Sequence, residues 1–142
     1  MPISRAIQDI AFRVSRNYTN RDFTTETFIT EYGNTLAGGS SGFDLTAGTF
    51  TVPVGGIYQI NVQHSGTSNY SAANNVIMKL YENGTALAAD TVRDDPEGGQ
   101  SANLIISQTR KLIAGEVLKV SFQVTNDTSV GANFLFSGHL VG

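Results

Sequence analysis

The chain has no cysteine, no tryptophan, two histidines and three prolines, and only 15% of its 142 residues are charged. Without thiols there is no disulfide framework, no thiolate nucleophile and no cysteine-based zinc site. His64 and His139 are too few for a three-histidine metal site within one chain. A net charge of -3 supplies no basic field to neutralise a phosphate backbone, which argues against nucleic acid as a partner. No apolar run approaches the ~18 residues expected of a membrane span. The opening Met1-Pro2-Ile3-Ser4-Arg5-Ala6-Ile7-Gln8-Asp9 lacks the apolar stretch of a signal peptide, so secretory export by that route is not expected. The length and the 40% hydrophobic content suit one compact domain.

Gly, Thr, Ser and Asn fill the polar positions instead of charge. Thr suits a pleated, half-buried surface and Gly and Asn supply turn conformations, so strands and turns are favoured over helices. Tyr58-Gln59-Ile60-Asn61-Val62-Gln63 alternates apolar and amide side chains, which places them on opposite faces of a strand. Leu118-Lys119-Val120-Ser121-Phe122-Gln123-Val124 and Phe12-Arg13-Val14-Ser15 share the period, and each reads as a half-buried antiparallel strand. Asn83-Gly84 lies between Val76-Ile77-Met78-Lys79-Leu80-Tyr81 and Ala86-Leu87-Ala88-Ala89, the signature of a hairpin with a type I′ turn. Further strands are expected at residues 27–32, 49–52, 103–112 and 133–141. Short strands spaced by turns argue for a β-sandwich. Residues 37–42, all Gly, Ser or Ala, have no side chain large enough to anchor them and read as a free loop, and residues 93–99 read as an acidic turn.

At Phe50 a longer pattern emerges: Phe43, Phe50, Gly56, Tyr58, Ile60 and Val62 in register, with Phe28 and Asn34 upstream. Leu112-Ile113-Ala114-Gly115-Glu116-Val117 and Phe136-Ser137-Gly138 follow downstream. This series resembles the globular head of complement component 1q, whose fold is shared with the tumour necrosis factor ligands. The resemblance runs over residues 10–142 and implies an all-β, ten-stranded jelly-roll sandwich that assembles as a homotrimer. The chain departs from the pattern in a longer Gly/Ser loop between Asn34 and Phe43, and in Ile60 and Val62 where the family has aromatics. The core and trimer are expected to draw on Phe50, Tyr58, Ile60, Val62, Phe122 and Phe136, with His139 on the closing strand, whose two faces both carry bulky groups.

Several candidates for chemistry have simpler explanations. Gly38-Gly39-Ser40-Ser41-Gly42 matches the Gly-x-Ser-x-Gly of hydrolases, but no helix follows to form the strained elbow that the motif requires. His64 has the parity of Tyr58, Ile60 and Val62 and reads as a hydrogen-bonded structural histidine. The sharper alternative is three copies of one histidine meeting on a trimer axis to bind a metal or act as a pH switch, for which His139 is the better candidate. Asp94, Asp95 and Glu97, with the carbonyls of Gly98 and Gly99, are weak calcium candidates in what is otherwise a solvated turn. No other cofactor is expected. The Asn-x-Ser/Thr sequons at Asn17, Asn69, Asn83 and Asn126 read as turn chemistry.

The expected role is therefore non-catalytic: a trimeric module that decorates or tips a larger assembly, a phage virion fibre or a bacterial surface structure. Its loops would present a receptor- or glycan-binding surface. Residues 1–9 are expected to be an attachment arm, because Ile3, Ala6, Ile7 and Ile10 recur at an amphipathic spacing suited to a carrier capsid, tail or surface protein. The alternative is a soluble secreted ligand or pattern-recognition protein of the complement or tumour necrosis factor kind. An enzyme is disfavoured by the residue inventory.

Overall fold

The computed structural model describes residues 10–36, 40–66, 75–94 and 102–142. Strands follow in the order β1 (Ala11–Arg21), β2 (Thr27–Phe28), β3 (Gly33–Asn34), β4 (Phe43–Asp44), β5 (Thr49–Thr51) and β6 (Gly56–Gly66). They continue as β7 (Val76–Glu82), β8 (Thr85–Asp94), β9 (Asn103–Leu112), β10 (Val117–Val124) and β11 (Val130–Leu140), and no helix occurs among the described residues. One sheet has five strands in the order β3-β1-β11-β6-β9. The other has six, β4-β5-β10-β7-β8, with β2 also pairing with β10. Every pairing is antiparallel, and the first and last long strands lie side by side, Ala11 opposite His139.

Alternation decides which side chains meet between the sheets. Phe12, Val14, Tyr58, Ile60, Val62, Phe134 and Phe136 enter from the five-stranded sheet, and Phe50, Met78, Leu80, Val120 and Phe122 from the six-stranded one, all buried. Phe12 stacks on Phe50 at 4.3 Å and meets Phe136 edge-on at 5.0 Å. Phe122 packs edge-on against Phe134 at 4.9 Å. Such pairs contribute roughly 0.5–1.5 kcal/mol each beyond the area they bury. Ile60 and Val62, the aliphatic departures, fill the sheet centre with no exposure. Gly138 belongs to the same packing: a Cβ there would lie 2.6 Å from Phe12 Cε1 and 2.8 Å from Ile60 Cδ1.

The β7–β8 hairpin closes as expected through Asn83 and Gly84, whose φ values are 51° and 83°. Asn83 also ties the turn to β10, accepting from Val117 N at 2.9 Å through Oδ1. At the open side of the sandwich, Arg110 on β9 donates to both oxygens of buried Asp90 on β8 at 2.6 and 2.7 Å. The same guanidinium reaches Glu82 on β7 at 3.1 Å, so one cation pins the edges of the two sheets together.

Several expectations are corrected. The eleven strand segments include β3 and β4, two-residue pairs with no period to betray them, which the strand pattern does not mark. Only Thr27–Phe28 of residues 27–32 is strand; Glu31 takes φ 58°, which ends the extended run, and Ile29 and Tyr32 turn into the core. Arg93 and Asp94 are the last residues of β8 and not part of a turn. Of the Gly/Ser segment, residues 37–39 lie outside the described residues, and its described part is held, not free: Ser40 Oγ accepts from Arg13 N at 3.1 Å and donates to Asn34 Oδ1, and Ser41 N donates to Ala11 O at 2.8 Å. Backbone and hydroxyl groups do the anchoring that bulky side chains would otherwise do.

Candidate assembly surface

The five strands of the first sheet contain no Asp or Glu anywhere, whereas those of the second carry Asp44, Glu82, Asp90 and Asp94. The outer face of the five-stranded sheet is correspondingly neutral at its centre. On it, Gln59 Nε2 donates to Asn61 Oδ1 at 3.0 Å and to Ser107 Oγ at 3.1 Å. Ser107 Oγ donates to Asn61 Oδ1 at 2.8 Å, and Thr109 Oγ1 donates to Gln59 Oε1. This ladder of amides and hydroxyls spans β6 and β9 with its groups satisfying one another. Aliphatic side chains surround it: Ile57, Ile105 and Val141 are 43%, 60% and 52% exposed. A surface that excludes carboxylates, mixes neutral polar groups with aliphatics and leaves isoleucine in water has the composition of a protein contact rather than of a solvated face.

The outer face of the six-stranded sheet is different. Glu26 Oε2 accepts from Tyr81 OH and from Ser121 Oγ, both at 2.6 Å. These bonds hold the Glu26 carboxyl below its ordinary range and push the Tyr81 phenol up. Lys119 Nζ sits 3.8 Å from the Phe28 ring centre, and Phe28 meets Tyr81 edge-on at 5.0 Å. Charges and aromatics here clamp the segment before β2 onto its own sheet.

The two histidines occupy opposite faces of one sheet. His64 on β6 is 1% exposed, with its ring 4.4 Å from Phe122 and 5.2 Å from Phe134, and burial lowers its pKa to about 4. It therefore points into its own sandwich and away from any neighbouring chain. His139 is exposed on the outer face of β11, between Ala11 on β1 and Gln59 on β6.

The remaining candidates are placed as follows. Phe50, Tyr58, Ile60, Val62, Phe122 and Phe136 are all interior, which leaves His139 alone of that group on an outer face. Ser40, the serine of the hydrolase-like motif, is held by Asn34 and Arg13 on an irregular segment with no helix behind it. Asp94 ends β8 opposite Val76, while Asp95 and Glu97 lie outside the described residues, as do Ile3, Ile7 and the rest of residues 1–9. Among the described residues no group of three or more His, Asp or Glu converges on a metal position. Ile10 packs half-buried against the core and accepts from Leu140 N at 3.0 Å, so the two ends of the described chain leave the same end of the sandwich. The strand ends Arg21 of β1, Gly66 of β6, Asp94 of β8 and Val124 of β10 lie at the opposite end. Gln59, Asn61, Ser107 and Thr109 were not singled out by sequence; alternation marks the first two as outward-facing, but only the β6–β9 register joins them to the others.

No family model matches the chain, and no curated protein matches it in sequence. Solved structures match it in fold. The globular domain of zebrafish complement 1qA superposes with a TM-score of 0.67 at 16% identity, over 94% of this chain and 98% of that one. The vertex protein P5 of PRD1 gives 0.63 at 14% identity over 94% of this chain and 74% of that one. The Eiger TNF of S. frugiperda gives 0.60 at 11% identity over 93% and 92%. At these identities the likeness speaks for the architecture: the chain has the two-sheet antiparallel sandwich of the complement 1q and tumour necrosis factor jelly rolls.

Proposed function

We propose that the chain is a non-catalytic, homotrimeric module of a virion or extracellular surface assembly. The observation that carries this reading is the five-stranded sheet without a carboxylate, whose outer face sets a neutral amide ladder among exposed isoleucines. Burying that face against two other copies removes apolar area from water without stranding a negative charge. The fold likeness to a complement head, a TNF and a vertex protein supports the same reading.

The polarity of the module follows from its chain path. Ile10 and Gly142 lie at one end, which supports the reading that residues 1–9 join a carrier capsid, tail or surface protein there while the far end presents a receptor- or glycan-binding surface. Sedimentation equilibrium at micromolar concentration tests the assembly, with three times the mass of the 15.1 kDa chain expected and a monomer overturning it. Removing residues 1–9 should preserve that trimer and abolish incorporation into the parent particle. Incorporation at the full-length level would place attachment elsewhere.

A further inference from the structure

We propose that His139 makes self-association of this chain pH-sensitive, with copies held together while its imidazole is neutral and separating once it is protonated. The proposal rests on the self-association argued above and concerns the regulation of that same face.

His139 sits on β11 within the outer face, directly opposite Ala11 on β1 and Gln59 on β6. From β1 the charged group beside it is Arg13, paired with Ser137 one outward position along the strand. From β6 the outward neighbours Ile57, Gln59 and Asn61 carry no charge, and β9 beyond contributes Lys111, opposite Ile57. Its own strand offers Ser137, and Val141 follows just past the strand's end. Among the described residues, then, the side-chain charges on this face are cations and none is a carboxylate; Asp9 lies outside them.

Histidine is the side chain whose ordinary charge change falls between pH 5 and 8. In water a protonated imidazole keeps its hydration. Once other copies cover the face it loses that hydration, stays among the cations Arg13 and Lys111, and finds no side-chain carboxylate among the described residues of the face to replace the water. Assembly therefore favours the neutral ring, and each chain releases a proton as it binds. The chain's only other histidine is withdrawn from this range by burial in the core, so the response is focused on one residue. With three linked protons, the association constant falls toward about three decades per pH unit once the dissociated chains are protonated.

Sedimentation equilibrium of the full chain and of His139→Gln, from about pH 8 to about pH 5.5, tests this. The native association constant should drop about a thousandfold over that range, and the His139→Gln value should stay nearly level. Equal slopes in the two proteins, a pH-independent native trimer, or association that strengthens on acidification would overturn it, the last by revealing an acid against the ring. A native chain that is monomeric at every pH would instead fail the trimer reading, and this proposal with it. Should His139→Gln not fold, proton NMR of the native chain decides, because its two histidines give two ring signals. The His139 signal should titrate at lower pH in concentrated, assembled samples than in dilute, dissociated ones, and equal midpoints would overturn the proposal.

Discussion

The inner and outer faces of the five-stranded sheet are built by alternate residues of the same strands, and both exclude carboxylates, yet they are made of different things. Inside, Phe12 and Tyr58 meet Phe50, Phe134 meets Phe122 and Phe136 meets Phe43 of the other sheet at ring-contact distances. Outside, Gln59, Asn61, Ser107 and Thr109 hydrogen-bond to one another among half-exposed aliphatics. The inner face is filled for permanent burial, where an unmatched polar group is costly. On the trimer reading proposed above, the outer face is wet in a single chain and dry in the assembly, which amides and hydroxyls tolerate and carboxylates do not. The outer face of the six-stranded sheet, with Glu26, Lys79 and Lys119, instead carries charges of both signs.

The sharpest way to break the comparison is to put a charge on the outer face. Leu135→Glu, at a half-buried outward position of β11, should leave the chain folded but weaken self-association by at least about a hundredfold, since like charges brought together at an interface cost several kcal/mol. Thr51→Glu, on an exposed position of the six-stranded sheet, should change neither property, and sedimentation of the two variants compares the faces directly. On the inner face, Tyr58→Ala should destabilise the fold by about 3–5 kcal/mol in urea unfolding. It removes a side chain with no exposure whose hydroxyl donates to Val54 O at 2.6 Å.

The inner histidine supplies a pH test. His64 has a folded pKa depressed to about 4, below the ordinary unfolded value, so the folded state holds it neutral. Its contribution is fully present above about pH 6.5 and is lost as pH falls toward 4, amounting to about 3 kcal/mol across that window. Urea unfolding at stepped pH should display this loss, and His64→Phe should flatten that part of the profile. An unchanged profile would mean that the imidazole gains a proton without leaving the core. The smallest effect concerns Tyr32, which is 4% exposed and whose hydroxyl has no hydrogen-bond partner among the described residues. Tyr32→Phe should leave stability unchanged or raise it by up to about 1 kcal/mol, read from the same unfolding midpoints. A clear loss would reveal a partner for that hydroxyl.

Much of the fold was legible along the chain, for a local reason. Side-chain alternation has period two, so Tyr58-Gln59-Ile60-Asn61-Val62-Gln63 sorts its own residues into two faces with no knowledge of its neighbours, and the same parity sends His64 inward. Asn83-Gly84 marks its hairpin because both residues accept a positive φ. β3 and β4 were not legible, because two residues cannot display a period. The anchoring of Ser40 and Ser41 was not legible either. Their partners Arg13, Ala11 and Asn34 are brought to them by the return of the chain past β1, and nothing in a Gly/Ser run encodes that.

The sequence by itself determined the all-β class, the inward residues of β1, β6 and β10 and the position of the β7–β8 turn, all of which follow from steric preferences acting within a few residues. Which strands share a sheet was decided only in three dimensions, because antiparallel pairing joins segments as distant as Ala11 and His139. The carboxylates are scattered along the sequence, and their complete absence from β1, β3, β6, β9 and β11 becomes visible only when those five strands are gathered side by side. The amide ladder and the setting of His139 follow from the same gathering, since register places Gln59 against Thr109 and His139 against Gln59. A surface of this kind is a property of strand order, and strand order is settled by long-range packing against one shared core.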